Sequence, residues 1–164
     1  MKQSIRKVQQ CDGITLKNVR CRKKTSMTNL CWIHLGKKFN LRIKPSNISN
    51  GGKGLFAYKK KIPKNKKIAN STGRHLTSSQ VIRKYGDGLA EYAICDKGKC
   101  VDANETTDGA PRYANDARGS RFKNNSFLLG KKFNYFLKSS KNIKPHQEIF
   151  TNYGREYWKK KVKK

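Results

Sequence analysis

The chain has 164 residues and a formal net charge of +29, with 39 Lys and Arg against 10 Asp and Glu. That length suits one modest domain with a small appendage, and a hydrophobic content of 35% leaves a lean core that leans on seven Phe, seven Tyr and two Trp. No apolar run approaches the roughly 20 residues of a membrane-spanning helix, and residues 1–7 lack the apolar stretch of a signal peptide, so a soluble intracellular protein is expected.

The first element in chain order is a set of metal-ligand types, Cys11, Cys21, Cys31 and His34, spaced Cys-x9-Cys-x9-Cys-x2-His. Thiolate and imidazole in a set of four suit tetrahedral zinc with no open position. A segment this polar cannot bury enough surface to fold alone, so residues 1–37 are expected to be a zinc module folded by its metal. Free thiols at coincident spacing are the competing reading. An odd total of five Cys and no secretory signal argue against disulfides, and Cys95 and Cys100 are expected as reduced neighbours across a hairpin.

Further along, the pattern is short and β-like. Residues 39–43 alternate in the strand period, 45–52 are rich in turn formers, and 54–58 restart a strand. Thr77 or Ser78 caps a short helix that runs to Tyr85. Residues 91–95 and 99–102 form a hairpin about Gly98, and 133–137 and 148–151 are further strands. Residues 159–164 read as a basic tail that nothing local would order. Many short strands with little helix predict a mostly-β fold.

Charge is unevenly distributed. Seven of the ten acids, Asp87, Glu91, Asp96, Asp102, Glu105, Asp108 and Asp116, fall within residues 85–117, against Lys97, Lys99 and Arg112. This stretch nets −4 and the remainder +33. An acidic island suits a basic peptide, although turns such as 85–88 and 96–99 also use such residues. The basic remainder predicts non-specific affinity for nucleic acid, with no recognisable reader helix or stacking motif.

Three motifs in order carry a family resemblance: Gly52-Lys53-Gly54-Leu55-Phe56-Ala57, then Arg112-Tyr113-Ala114-Asn115-Asp116, then Gln147-Glu148-Ile149-Phe150-Thr151-Asn152-Tyr153-Gly154. With Cys100-Val101-Asp102-Ala103 ahead of the second, residues 41–158 resemble SET-domain protein-lysine methyltransferases of the compact viral type. The resemblance implies a SET domain over residues 38–158, built of short strands with a knot-like carboxy-terminal threading. It also implies S-adenosylmethionine as cofactor, contacted by Gly52, Lys53, Gly54, Leu55, Arg112, Tyr113, Asn115, Asp116, Tyr153 and Trp158. Tyr153 matches the catalytic tyrosine and Tyr92 is the second wall of a lysine channel. Thr151 stands where many members carry an aromatic residue, and Phe127 is expected to fill that space. Tyr157 and Trp158 resemble aromatics that cover the adenine, and Glu148 is expected to be structural.

The chain departs from the family pattern at Asp116-Ala117, which replace His-Ser. Two functions therefore compete. One is methylation of a histone or another basic chromatin protein; the other is an inactive SET-fold module that tethers or packages nucleic acid. Small size, a Lys- and Asn-heavy composition and compact spacing suggest a large DNA virus as source, and with it a nucleus, viral factory or virion location.

Overall fold

In the computed structural model, residues 8–86, 90–104 and 109–162 are described, with side chains to Lys159. Of the acidic island, Asp87, Glu105 and Asp108 lie outside the described residues, as do Lys163 and Lys164 of the basic tail. The chain runs β1 (Gln9–Gln10), β2 (Lys24–Thr25), α1 (Trp32–Phe39), β3 (Leu41–Pro45), β4 (Lys53–Ala57), β5 (Lys67–Ser71) and β6 (Arg74–Thr77). It continues through α2 (Ser78–Tyr85), β7 (Ala93–Asp96), β8 (Lys99–Asp102) and a 3-10 turn (Ala110–Tyr113) to β9 (Ser126–Lys131), β10 (Asn134–Ser139), β11 (Glu148–Ile149) and α3 (Arg155–Val162). The strands form small antiparallel sheets in the orders β1-β2, β5-β10-β9, β11-β4-β3 and β6-β8-β7. The mostly-β expectation holds.

Helix α1 was not expected. Its first turn follows Cys31, and it stops where Asn40 takes a left-handed conformation (φ 56°) and donates its N–H to Gly36 O. The apolar alternation after Phe39 thus belongs to a helix end followed by β3. Helix α2 starts as expected, with a capping box in which Thr77 Oγ1 accepts from Gln80 N while Gln80 Oε1 accepts from Thr77 N. The tail expectation is corrected: residues 159–162 belong to α3.

The β7–β8 hairpin also corrects a prediction. A two-residue turn with both central residues at positive φ, Lys97 at 46° and Gly98 at 81°, sets Cys95 directly opposite Cys100, with their Cα atoms 4.1 Å apart. The two sulfurs form a disulfide rather than remaining reduced. Direct cross-strand pairing brings them within bonding reach.

One hydrophobic cluster joins the amino-terminal segment to the β-rich body. It runs from Cys11, Cys21, Leu30 and Cys31 through Leu35, Leu41 and Leu55 to Leu137, Ile143 and Ile149. Burying each of these larger aliphatic side chains contributes about 1.5–3 kcal/mol. The Tyr113 hydroxyl adds a polar stitch by donating to Met27 O at 2.9 Å.

The carboxy-terminal segment is threaded through the body. On one side Glu148 and Ile149 pair antiparallel with Phe56 and Leu55 of β4. On the other, Phe150 and Thr151 form parallel bridges to Asn115 and Ser126. Asn125 clamps the thread, donating from Nδ2 to Glu148 O at 2.8 Å and accepting from Phe150 N at 2.9 Å. Threading is what brings residues 115–116 beside residue 153.

Candidate active site and metal centre

Threading leaves Thr151 N bonded to Asn115 O at 2.8 Å, so the second and third motifs meet through their backbones. The Asn115 side chain faces the first motif. Its Nδ2 lies 3.2 Å from Gly51 O, 3.1 Å from Lys53 O and 3.5 Å from Glu148 Oε1. Glu148 is fully buried and accepts from Ser46 Oγ and Asn47 N, each at 2.7 Å. It is structural, as expected. The two glycines of the turn serve different ends. Gly52 has φ +61° and open space where a Cβ would stand, whereas a Cβ on Gly54 would meet the Glu148 carboxylate. Only Gly52 leaves room for a ligand.

Asp116, in the position that departs from the family pattern, organises the site. Its buried carboxylate accepts from Tyr153 N at 2.9 Å and Trp158 Nε1 at 2.9 Å through Oδ2. Through Oδ1 it accepts from Arg118 N at 3.0 Å and Asn124 Nδ2 at 3.1 Å. Burial alone would push this carboxyl up, but the hydrogen bonds from Tyr153, Trp158, Asn124 and Arg118 outweigh it and hold the group below the usual carboxylate range. The site therefore carries a fixed negative charge at neutral pH.

Tyr153 packs edge-on to Tyr157 at 4.7 Å between ring centroids and near-parallel to Trp158 at 6.4 Å. Burial, and then the nearby Tyr157, Asp116, Tyr92 and Glu91, push its phenol well above the ordinary tyrosine range. Tyr157 is raised too, first by burial and then by Glu91, Tyr92 and Asp116. The same neighbours thus surround both rings. The Tyr153 hydroxyl has no hydrogen-bond partner among the described residues. Tyr92 is held from behind by Arg112, whose guanidinium lies 4.4 Å from the Tyr92 ring centroid while Nη1 donates to Ala103 O at 2.6 Å.

A cavity of about 440 Å³ adjoins Tyr153, lined by Asp116, Phe122, Asn124, Asn152, Gly154 and Arg155 among others. Of the predicted cofactor contacts only Asp116 lines it. Gly51 and Lys53, on either side of Gly52, are tied by their carbonyls to Asn115, the residue before Asp116, and Arg112 braces Tyr92. Leu55 lies in the core, and Tyr113 is buried with its hydroxyl given to Met27. Phe127 does not fill the space near Thr151; it is half-exposed on β9 beside the buried Ser126, and Thr151 Oγ1 is a buried oxygen with no hydrogen-bond partner among the described residues. Phe122, Asn124, Asn125 and Asn152 were missed in the sequence. The Asn124-Asn125 pair reads locally as a turn, and its side-chain partners lie 7 to 25 residues away. The open backbone at Gly52, the orphaned Thr151 oxygen, the unpartnered phenol and the cavity fit a polar cofactor with a reactive group near Tyr153.

The acidic island is partly spent inside the protein. Besides Asp116, the buried Asp102 accepts from Lys84 Nζ at 2.9 Å and Tyr85 OH at 2.7 Å. Glu91 stays exposed beside the tyrosines.

At the amino terminus the ligand atoms of Cys11, Cys21, Cys31 and His34 all lie within 4.8 Å of one another. Ligand distances of about 2.0–2.3 Å around tetrahedral zinc call for such a cluster. His34 Nδ1 is 3.4 Å from both Cys11 Sγ and Cys31 Sγ, and Nε2 is 3.0 Å from Ile14 O. A proton on Nε2 then bonds that carbonyl and leaves Nδ1 free as a ligand. Gly13 is required here, since a Cβ would strike the His34 ring. The backbone N–H groups of Gly13 and Cys31 point at Cys11 Sγ at 3.3 and 3.1 Å, which suits a thiolate. The cluster can hold a metal ion.

No protein-family model and no curated protein matches the chain. Among solved structures it is similar to a chain of a humanized mutant of the Chaetomium thermophilum Polycomb Repressive Complex 2 bound to the inhibitor GSK126, at 22% identity and a TM-score of 0.56. It is also similar to a chain of the apo form of that complex, ctPRC2, carrying substitutions in Ezh2, at 24% identity and a TM-score of 0.59. Each match covers 70% of this chain and 15% of the other, so the chain spans a small part of those proteins. The likeness and the threaded carboxy terminus together give the chain the SET-domain fold, mostly β, with a Cys3His cluster at its amino terminus.

Proposed function

We propose that the chain is an S-adenosylmethionine-dependent protein-lysine N-methyltransferase acting on a histone or another basic protein, with zinc held by Cys11, Cys21, Cys31 and His34. The observation that carries the proposal is the Tyr153 phenol. It is neutral and has no hydrogen-bond partner among the described residues, its ring packs against Tyr157 and Trp158 with Tyr92 nearby, and its backbone N–H is held by Asp116, which lines an open cavity together with Asn152 and Gly154.

When bound, the cofactor supplies an electrophilic methyl group. Gly52, Asn115 and the cavity beside Asp116 would hold it. Tyr153, with its pKa raised, stays a protonated phenol at neutral pH and has no phenolate to act as a base, so the substrate ammonium must lose its proton to water. A lysine amine with an ordinary pKa near 10.4 is neutral in only about one molecule in a few thousand at pH 7. Apolar ring walls at Tyr92, Tyr153 and Tyr157 raise that fraction by disfavouring the charged form. Exposed Glu91 draws the cationic side chain toward the rings, and the Tyr153 oxygen accepts from the amine and fixes its approach.

Transfer of labelled methyl groups from the cofactor to core histones, nucleosomes and basic peptides tests the reading, with mass spectrometry locating the lysine. Tyr153→Phe keeps the ring and removes the oxygen, so turnover should fall about a hundredfold or more while substrate affinity changes little. Tyr92→Phe should cost less. A Tyr153→Phe enzyme at the wild-type rate would place catalysis elsewhere. A wild type that binds these substrates without transfer would favour the inactive module.

A further inference from the structure

A second cavity, of about 420 Å³, lies on the amino-terminal segment and shares no lining residue with the first; Lys23, Lys24, Met27 and Trp32 line it. Trp32 is half-exposed at 51%, unusual for the largest apolar side chain in so lean a core. Arg42, which does not line the cavity, sits 5.1 Å from the Trp32 ring centroid and 5.4 Å from that of Tyr58, bracing the indole against the body. The cavity walls are equally fixed. Met27 O receives the Tyr113 hydroxyl, Cys31 belongs to the Cys3His cluster, and Thr25 Oγ1 donates to Thr28 O at 3.1 Å.

The charge around it has one sign. Across residues 8–40 the bases are Lys17, Arg20, Arg22, Lys23, Lys24, Lys37 and Lys38, and Asp12 is the lone acid. Asp12 is taken by Arg20 at 2.6 Å. Arg22, Lys23 and Lys24 are exposed and make no ion pair among the described residues.

We propose that this cavity is a binding site for single-stranded nucleic acid, with an unpaired base stacked on Trp32 and the flanking phosphates on Lys23 and Lys24. A rigid, half-exposed aromatic ring between cations is the arrangement that binds unpaired bases, because every base has a stackable face and the backbone supplies the anion. Duplex DNA fits less well, since its bases are stacked on one another and hidden from the indole. The site is separate from the tyrosine cluster, so it stands or falls independently of methyl transfer.

The test is fluorescence anisotropy of a labelled 15-nucleotide thymidine strand, a duplex of the same length and a poly-glutamate peptide, over a range of salt. The single strand should bind at least tenfold tighter than either competitor. Trp32→Leu should weaken it about tenfold or more without changing the salt dependence. The pair Lys23→Gln and Lys24→Gln should flatten the slope of log K against log salt by about 1.4, because two phosphates would go unneutralised. An equal loss of charge at the β9–β10 turn, Lys131→Gln with Lys132→Gln, should matter far less, because Phe133 there is already stacked on His75 at 4.3 Å. Metal content and methyl transfer to a free peptide should be unchanged in Trp32→Leu. Preference for the duplex or the peptide overturns the proposal. So does a Lys23/Lys24 variant indistinguishable from the Lys131/Lys132 control.

Discussion

Asp116 stands where the sequence resemblance expects a histidine, and its four hydrogen bonds show what an acid does there. It latches Trp158 and the Tyr153 backbone to the loop after Asn115. Asp116→Ala would leave buried donors unmet, and we expect a loss of about 2–3 kcal/mol in urea unfolding, with a smaller loss for Asp116→Asn. In a Trp32→Phe background, Trp158 emission should shift toward that of an exposed indole in Asp116→Ala. The pH dependence follows from the lowered folded-state pKa. The stability that Asp116 contributes is complete above the unfolded value near 3.9 and is lost only as pH falls through the lower folded one. Trp158 emission should therefore hold steady from pH 8 to about 4. Tyr153 runs the other way. Its raised folded-state pKa keeps the phenol neutral through pH 10, and above that the unfolded chain ionises first and stability declines. The methyl-transfer rate should rise with pH as the substrate amine is freed, with no falling limb from Tyr153 below pH 10. A falling limb between pH 8 and 9 would contradict the buried, neutral phenol.

At the scale of elements, local chemistry explains α2 and fails for α1 and α3. Thr77 and Gln80 complete a capping box within four residues, so the start of α2 is readable from its own sequence. Thr77→Ala should cost about 1 kcal/mol, measured by chemical denaturation, with no change in methyl transfer. Helix α1 depends on Leu35 reaching a core that also holds Leu41 and Ile149, and its end on the left-handed Asn40. Helix α3 is strongly basic, and its Trp158 is anchored by an acid 42 residues upstream. Neither cause is visible in a local window. The same holds for Cys95 and Cys100, whose partnership rests on the two-residue turn that sets strand register.

For the molecule as a whole, Cys11, Cys21 and Cys31 share one hydrophobic cluster with the β-rich body, so the described part of the amino-terminal segment, residues 8–37, packs onto that body. Removing the metal with a chelator, or making Cys31→Ser, should lower the melting temperature of the whole chain and broaden or merge its transition, read by calorimetry with metal analysis alongside. Two separate transitions, with the later one unmoved, would restore the picture of an independent module. Loss of the metal should also open the Trp32 cavity, because Cys31 forms part of its wall.

By itself the sequence determined which chemistries are present and their order along the chain. A Cys3His set at fixed spacing could be read from residue type alone, whereas the glycine turn at residues 52–54, Asn115 and Tyr153 were singled out by the order of three motifs that resembles a known family. The mostly-β architecture followed from the period-2 runs. Only the tertiary structure decided what those residues touch. Asn115 ties down the glycine turn, Gly54 makes way for Glu148, Leu55 and Tyr113 turn to the core, and Asp116 becomes the latch for Trp158. Each of these contacts joins residues tens of positions apart, brought together when the carboxy-terminal segment passes between β4 and the loop after Asn115. Such partners leave no periodicity or spacing in the sequence, because the chain meets itself there only after it has folded.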